Sequence, residues 1–518
     1  MPPDSIISRE LARSLCELSV ELGRQLGLLI HRSGKVETVI VGDHHQIVIP
    51  SLAGIRSAGG RLKGLRCVHT HLSTQAISDE DIMDMVFLRL DLMSVLTIRE
   101  GLPHLLHTVH LTPQRTGGRD WARLEPVHPA NQRVSCLSLI QAIEEEFVRM
   151  RPMREVKKNR DRAILVSVTT GPKTVAAQRL EELAELARSD NVTVLDTVIQ
   201  RRRRIHPRFI LGRGKVAEII LLALRLDANL LIFDTELSPS QMRSITDHTD
   251  LRVIDRTQLI LDIFAGRALS REGKLQIEMA QLKYMLPRLS TRDDALSRLT
   301  GGIGARGPGE TRLEIDRRRI TDRLSKLGRA LGNVSRERHG RRSRRRKKNI
   351  PVISLIGYTN AGKSTLLNTL TRSKITAENK LFATLDPTSR RLRFPRDMEV
   401  IITDTVGFIR DLPAELMKAF TSTLEELNEA DLLVHVIDVS NPLFRDQIKV
   451  VDQIIAQLEL AHIPCLRALN KIDRLAPQQL RELDHLRGVP ICALEKESLG
   501  RLLQEARHLL HKNGPPGR

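Results

Sequence analysis

The stretch Gly357-Tyr358-Thr359-Asn360-Ala361-Gly362-Lys363-Ser364-Thr365, directly after the apolar run Val352–Ile356, constrains the fold more than any other part of this chain. It spells G-x-x-x-x-G-K-S in the strand-to-helix context that the motif requires. The glycines let successive backbone N–H groups turn inward around phosphate oxygens. Lys363 reaches the β- and γ-phosphates, and Ser364 offers a hydroxyl to Mg2+. The helix that begins here points its positive end at the anion. Residues 350–518 are therefore read as an α/β P-loop domain.

Two further segments follow in order. Ile401-Ile402-Thr403-Asp404-Thr405-Val406-Gly407 reads as a strand ending in D-x-x-G. Asp404 there can hold Mg2+ through water, and the Gly407 N–H can sense the γ-phosphate. Asn470-Lys471-Ile472-Asp473 ends another strand-like stretch. A carboxylate at Asp473 can accept two hydrogen bonds from the N1–H and N2–H2 edge of guanine. Adenine lacks that donor pair, and a buried polar group left unpaired costs about 1–3 kcal/mol. The site is expected to take GTP and GDP.

Three such motifs in this order resemble the GTPase superfamily. The resemblance implies that Thr384, within Phe382-Ala383-Thr384-Leu385-Asp386, is a switch threonine completing the Mg2+ shell with Ser364. It also places Cys492-Ala493-Leu494 where the superfamily usually has S-A-K or S-A-L, so Cys492 departs from a serine that contacts the base edge. Phe408 stands after Gly407, where Ras-like enzymes carry the glutamine that orients the attacking water. Phenylalanine cannot do this, so no catalytic residue is assigned, and intrinsic hydrolysis is expected to be slow and raised by a partner or by another residue. In GTPases that resemble this one in lacking the glutamine, an asparagine at the position of Asn360 can hold K+ beside the phosphates. A turn asparagine fits Asn360 equally well.

Upstream, the pattern changes several times. Residues 1–157 read as a mixed α/β extension, with strand-like segments at Val36–Val41 and Gln46–Pro50 and helical periodicity at Asp79–Leu96 and Cys136–Arg149. Residues 158–268 alternate strand and helix. Strands are expected at Ala163–Val168, Val192–Ile199, Leu230–Phe233 and Leu251–Ile254, and a helix at Thr174–Ser189 with Val175, Leu180, Leu183 and Leu186 to one side. That alternation predicts a parallel sheet. Residues 269–335 carry leucines at helical spacing in two runs, Leu275–Leu289 and Leu313–Leu331, around a glycine-rich loop, Gly301–Gly309. Thr311-Arg312-Leu313-Glu314 matches a capping box for the second run. Two antiparallel helices with a glycine-rich tip are expected. Arg336–Lys348 (RERHGRRSRRRKK) has no large apolar residue, so 336–349 is read as a basic, solvated linker. The fold class is thus multidomain α/β: an N-terminal mixed extension, a small central α/β domain with a helical hairpin, and a C-terminal P-loop GTPase domain.

The central segments sharpen the resemblance. Phe209–Val216 (FILGRGKV), Lys274–Tyr284 (KLQIEMAQLKY), Pro287-Arg288-Leu289, the GGIGARGPGET loop (Gly301–Thr311) and FATLDPT (Phe382–Thr388) closely resemble the HflX family over roughly residues 160–505. The resemblance implies a cytosolic GTPase that binds the large ribosomal subunit and its RNA, reaches in with its helical tip, and splits or rescues stalled ribosomes. Charge agrees independently: 82 Lys and Arg against 62 Asp and Glu give a net +20, which suits a phosphate-rich partner. Aromatic residues are only 3% of the chain, so base stacking is not expected to dominate. A membrane surface is a weaker reading of the same charge. A GTP-controlled RNA-binding switch with little turnover is the alternative function.

In the N-terminal extension, Val68-His69-Thr70-His71 followed by Ser78-Asp79-Glu80-Asp81 is similar to the zinc site of JAMM-type metalloproteases. Two imidazoles and a carboxylate can hold Zn2+ with one position open. The interval from His71 to Ser78 is one residue shorter than the usual pattern. No upstream glutamate stands out as the base: near Gly27-Leu28-Leu29, Gln25 lies close to where it would be sought, and Glu21 is the nearest acid. No run of 18 or more apolar residues predicts a transmembrane helix. The five scattered cysteines suggest neither a disulfide framework nor a C-x-x-C metal site. A monomer is expected.

Overall fold

The structure, a computed structural model, describes residues 1–50, 52, 62–116, 119–149, 161–247, 249, 251–268, 270–289, 312–346, 350–371, 388–394, 398–404, 407–412, 416–417 and 427–512. The chain divides into two compact units, Met1–Arg256 and Thr257–Arg518.

The first unit opens with helix α1 (Arg9–Leu22), capped by the Ser8 hydroxyl on the Leu11 N–H at 3.3 Å. Strands β1 (Leu26–His31), β2 (Val36–Val41), β3 (Leu65–His71), β4 (Leu92–Arg99), β5 (Leu102–Thr116) and β6 (Arg119–Arg123) form one sheet in the order β2-β1-β3-β4-β5-β6. Only β3 and β4 run parallel, and helix α2 (Asp79–Leu88) lies between them in the chain. Helix α3 (Cys136–Arg149) follows β6. Every residue of β3 is buried, as a central strand covered on both faces requires.

Two expectations fail here for identifiable reasons. Asp79–Leu96 is not one helix: α2 stops at Leu88 with Arg89 in the left-handed conformation (φ 51°), and the chain re-enters the sheet as β4. The apolar run Leu92–Ile98 has no polar face, so helix and buried strand are alike in periodicity there. Gln46–Pro50 is not a strand. Asp43 Oδ1 accepts from the N–H groups of His45 and Gln46 at 2.7 and 2.8 Å, turning the chain away from β2.

A second sheet follows: β7 (Arg162–Thr169), α4 (Lys173–Ser189), β8 (Thr193–Arg201), α5 (Arg213–Leu226), β9 (Leu230–Phe233), α6 (Pro239–Thr246) and β10 (Arg252–Asp255). Its strands are all parallel, in the order β10-β9-β7-β8, as the alternation predicts. Leu180, Leu183 and Leu186 of α4 are buried, but Val175 is exposed, and Ala176 takes the inward position in that first turn. One buried apolar cluster runs through both sheets of this unit, from Leu29 and Phe87 through Phe147 to Ile220 and Phe233.

Helix α7 (Arg256–Arg267) starts at the last residue of the first unit, and α8 (Arg271–Leu289) and α9 (Arg312–Arg346) follow in the second. The latter two pack together, and the Arg323 guanidinium meets the Glu278 carboxylate at 2.6 and 2.9 Å. The expected glycine-rich tip, with Thr311, lies outside the described residues. The basic run does not behave as a loose linker: α9 continues through it to Arg346. Arg and Lys are good helix formers, and no proline interrupts the run.

The third sheet has the order β12-β13-β11-β14-β15-β16. Its strands are β11 (Val352–Gly357), β12 (Thr388–Phe394), β13 (Met398–Asp404), β14 (Leu432–Asp438), β15 (Cys465–Asn470) and β16 (Val489–Pro490). All neighbours are parallel except β12 and β13. Helices α10 (Lys363–Thr371), α11 (Phe444–Gln457), α12 (Pro477–Arg481) and α13 (Gly500–Lys512) complete the domain.

Candidate functional site

Every described segment of the nucleotide motifs lies at the carboxyl ends of these parallel strands, where open α/β sheets bind ligands. The loop after β11 is shaped by contacts that exclude side chains. A Cβ on Gly357, at φ 145°, would stand 2.3 Å from the Val436 carbonyl oxygen. One on Gly362, at φ 96°, would stand 2.3 Å from Nδ2 of Asn470. Asn360 between them is left-handed (φ 63°), a conformation that asparagine tolerates. The backbone is then stitched to the next motif: the Thr359 N–H donates to the Phe408 carbonyl at 2.8 Å, and the Phe408 N–H to the Gly357 carbonyl at 3.0 Å.

Lys363 opens α10 with its side chain folded over this loop. Its ammonium donates to the carbonyls of Gly357 and Tyr358 at 3.1 and 2.8 Å. Burial lowers it to about 8, against the opposing pull of Asp404. A Cβ on Gly407 would stand 3.0 Å from Nζ of Lys363, so this glycine lies against the ammonium. The Ser364 hydroxyl donates to Oδ2 of Asp404 at 2.6 Å. A hydroxyl and a carboxylate side by side make a hard-oxygen donor set, which suits Mg2+.

Asn470 ties three segments together. Its amide nitrogen donates to the Ala361 carbonyl at 2.7 Å, and its amide oxygen accepts from the Ala493 N–H at 2.9 Å. Lys471 reaches across with Nζ 3.0 Å from the Asn360 carbonyl and 2.5 Å from Oδ2 of Asp438. Asp473 follows in an exposed 3-10 turn, Ile472–Arg474. The Cys492 thiol is pushed up first by burial and also by its hydrogen bond with the Asp473 carboxylate, while the Leu494 N–H opposes both. The departure from serine therefore puts a thiol against the carboxylate expected to read guanine. Leu494 is exposed.

Thus Gly357 to Thr365, Asp404, Gly407, Asn470 to Asp473 and Cys492 to Leu494 come to one end of the sheet. Phe382 to Asp386, Thr405 and Val406 lie outside the described residues. Phe408 is 3% exposed, so its ring is committed to the core. Sequence reasoning missed Asp438, whose signal was an apolar strand ending in an acid, and His435 on the same strand. In the first unit, His69 and His71 on β3 and Asp81 on α2 are likewise brought together.

Comparison with known proteins places the chain among GTP-binding proteins. Family models match in three consecutive stretches: GTP-binding GTPase N-terminal at residues 177–265, GTP-binding GTPase Middle Region at 267–345, and 50S ribosome-binding GTPase at 352–471. Among curated proteins, the chain is 46% identical to the GTPase HflX of Caldanaerobacter subterraneus over 360 residues, which is 70% of this chain and 83% of that one. It is 47% identical to that of Lacrimispora saccharolytica over 355 residues, covering 68% of this chain and 84% of the relative. It is 44% identical to that of Escherichia coli over 296 residues, covering 57% and 70%. The sheet built from residues 1–149 precedes the stretches matched by the family models.

Proposed function

This chain belongs to the HflX family of GTPases, and on that premise we propose that it hydrolyses GTP at the β11–α10 loop while bound to the large ribosomal subunit, so that turnover times the splitting or rescue of stalled ribosomes. It is a GTP hydrolase. The observation that carries the site is the Asn470 amide, which holds the phosphate loop at Ala361 and the Cys492-Ala493-Leu494 turn at Ala493 in one rigid frame. Among the described residues, Lys363 donates to two backbone carbonyls, those of Gly357 and Tyr358. It turns to the β- and γ-phosphates when they arrive, and the loop N–H groups between Gly357 and Thr365 cradle their oxygens. Ser364, Thr384 and, through water, Asp404 would hold Mg2+, which would supply positive charge against that developing on the phosphates. Asp473 reads the guanine edge beside Cys492.

The buried Phe408 leaves the attacking water without a side-chain guide from that position. Hydrolysis is therefore slow alone and fast on the ribosome, where the partner completes the site. The basic α9 and its tip supply the contact with ribosomal RNA, in keeping with the net charge of +20. Asn360 is exposed at the loop and is the residue through which K+ would act.

The test is steady-state GTP and ATP hydrolysis with and without purified large subunits, in K+ and in Na+. Guanine-specific turnover is expected to rise at least tenfold at saturating subunits, and Lys363→Ala to abolish it. Asp473→Asn is expected to move preference toward xanthine nucleotide. Nucleotide binding with no stimulated turnover would replace this reading with a GTP-controlled switch. Equal rates in K+ and Na+ would remove Asn360 from the mechanism.

A further inference from the structure

The first unit holds a second cluster of chemically capable side chains, separate from the nucleotide site. His69 and His71 alternate on β3 and so point to one face of the sheet, the face on which α2 presents Asp81. Nε2 of His69 lies 3.2 Å from Nε2 of His71 and 3.2 Å from Oδ1 of Asp81, and Nε2 of His71 lies 3.7 Å from Oδ2 of Asp81. A tetrahedral ion with bonds of about 2.0–2.1 Å sets its ligand atoms about 3.3 Å apart. The His69–His71 and His69–Asp81 separations lie close to that value, and the 3.7 Å contact of His71 is to the other oxygen of the same carboxylate.

Protonation points the same way. Nδ1 of His71 lies 2.9 Å from the Gln75 carbonyl oxygen, an acceptor, so the ring proton sits on Nδ1 and Nε2 presents a lone pair. Asp81 is held by its own helix cap: Oδ2 accepts from the Ser78 N–H at 2.8 Å and from the Ser78 hydroxyl at 2.7 Å. A fixed imidazole and a fixed carboxylate thus aim acceptors at one point, and among the described residues the Nε2 proton of His69 is what answers them. His69 is fully buried, and among the described residues its Nδ1 has no hydrogen-bond partner. Converging acceptors with so little proton supply are what a cation stabilises, and their orienting hydrogen bonds are the support that metal ligands need.

We propose that His69, His71 and Asp81 form a binding site for a zinc-type divalent cation, which clamps α2 to β3 and keeps its fourth position toward solvent. The Asp81 and His71 side chains are 13% and 7% exposed, and they form the open side of the cluster. The neighbouring strand adds no acid. Gly27 of β1 pairs with His69, and a Cβ there would stand 3.4 Å from Cβ of His69, so position 25 faces the same way. That position is Gln25, buried, with an amide that cannot take a proton from a metal-bound water. The centre is a clamp on this reading, and hydrolysis is not required of it.

The full chain should be dialysed against a weak chelator after loading with Zn2+, then assayed for metal content. It should also be titrated with Co2+, whose visible spectrum reports a tetrahedral site. One ion per chain is expected, together with a rise in the unfolding temperature on adding Zn2+. His71→Ala and Asp81→Asn should lose both effects. Asp81→Asn keeps an oxygen that can accept from Ser78, so its helix cap survives. Unchanged far-UV circular dichroism and GTP turnover would establish that the variants are folded. A wild-type chain that retains no Zn2+, or folded variants that retain it as well as the wild type, would overturn the proposal.

Discussion

His435 shows how one residue can set the pH response of a domain. It lies on β14, 2% exposed, between Ile356 of β11 and Arg467 of β15 in the strand register. Burial, followed by the positive charges of Arg467 and Lys363, pushes it down to about 3. Folding must therefore keep it neutral, whereas the unfolded chain protonates it below its ordinary value near 6.5. The unfolded state binds the extra proton, so stability falls as pH drops below that value, by up to about 1.4 kcal/mol per pH unit. His435→Val should remove about 2 kcal/mol of the loss between pH 7 and pH 5. Urea unfolding of the full chain at the two pH values measures this, and an unaltered pH slope would contradict it. The residue was invisible to motif reading because it belongs to no motif. The opposite holds for Lys363, Ser364, Asp404 and Asn470, which motif spacing singles out and which the fold brings to one end of the sheet. What the sequence could not disclose was the bonding among them, such as Asn470 spanning from Ala361 to Ala493.

At the level of elements, periodicity was reliable where an element has two faces and unreliable where it has one. Cys136–Arg149 and Lys173–Ser189 each bury a stripe and were legible as helices. Leu92–Arg99, buried from end to end but for its last residue, was not separable from the helix before it. The long helix α9 was underestimated because its last third has no apolar stripe at all. It also carries glycines in its interior. A Cβ at Gly328 would meet nothing within 4 Å, and the position is exposed. Gly328→Ala should therefore stabilise the helix by about 0.5–1 kcal/mol, through a less flexible unfolded chain. A higher unfolding temperature with no loss of GTP turnover is the expected result, and a lower one would mean that the helix depends on a close approach at that point. The Arg323–Glu278 pair, with side chains 52% and 37% exposed, should add little beside this.

For the whole molecule, the organisation into two compact units was only partly legible. Composition changes marked the central alternation and the helical pair, but the sharing of one buried cluster by the first two sheets depends on contacts far apart in sequence. Among the described residues, no helix is long and apolar enough to cross a membrane. The excess of 20 positive charges remains the chief global property. If ribosomal RNA is the partner, phosphate contacts release counterions, and affinity should fall by tenfold or more between about 50 and 200 mM KCl. Co-sedimentation with large subunits across that range checks this, and affinity indifferent to salt would count against an RNA contact.

The continuous α9 has one more consequence, a mechanical one. Its 35 residues make a rod about 52 Å long, and β11 begins only a few residues after its end. A tether that short leaves little slack. A tilt of about 10° at one end of such a rod carries the other through about 9 Å, which is leverage that a flexible linker could not transmit.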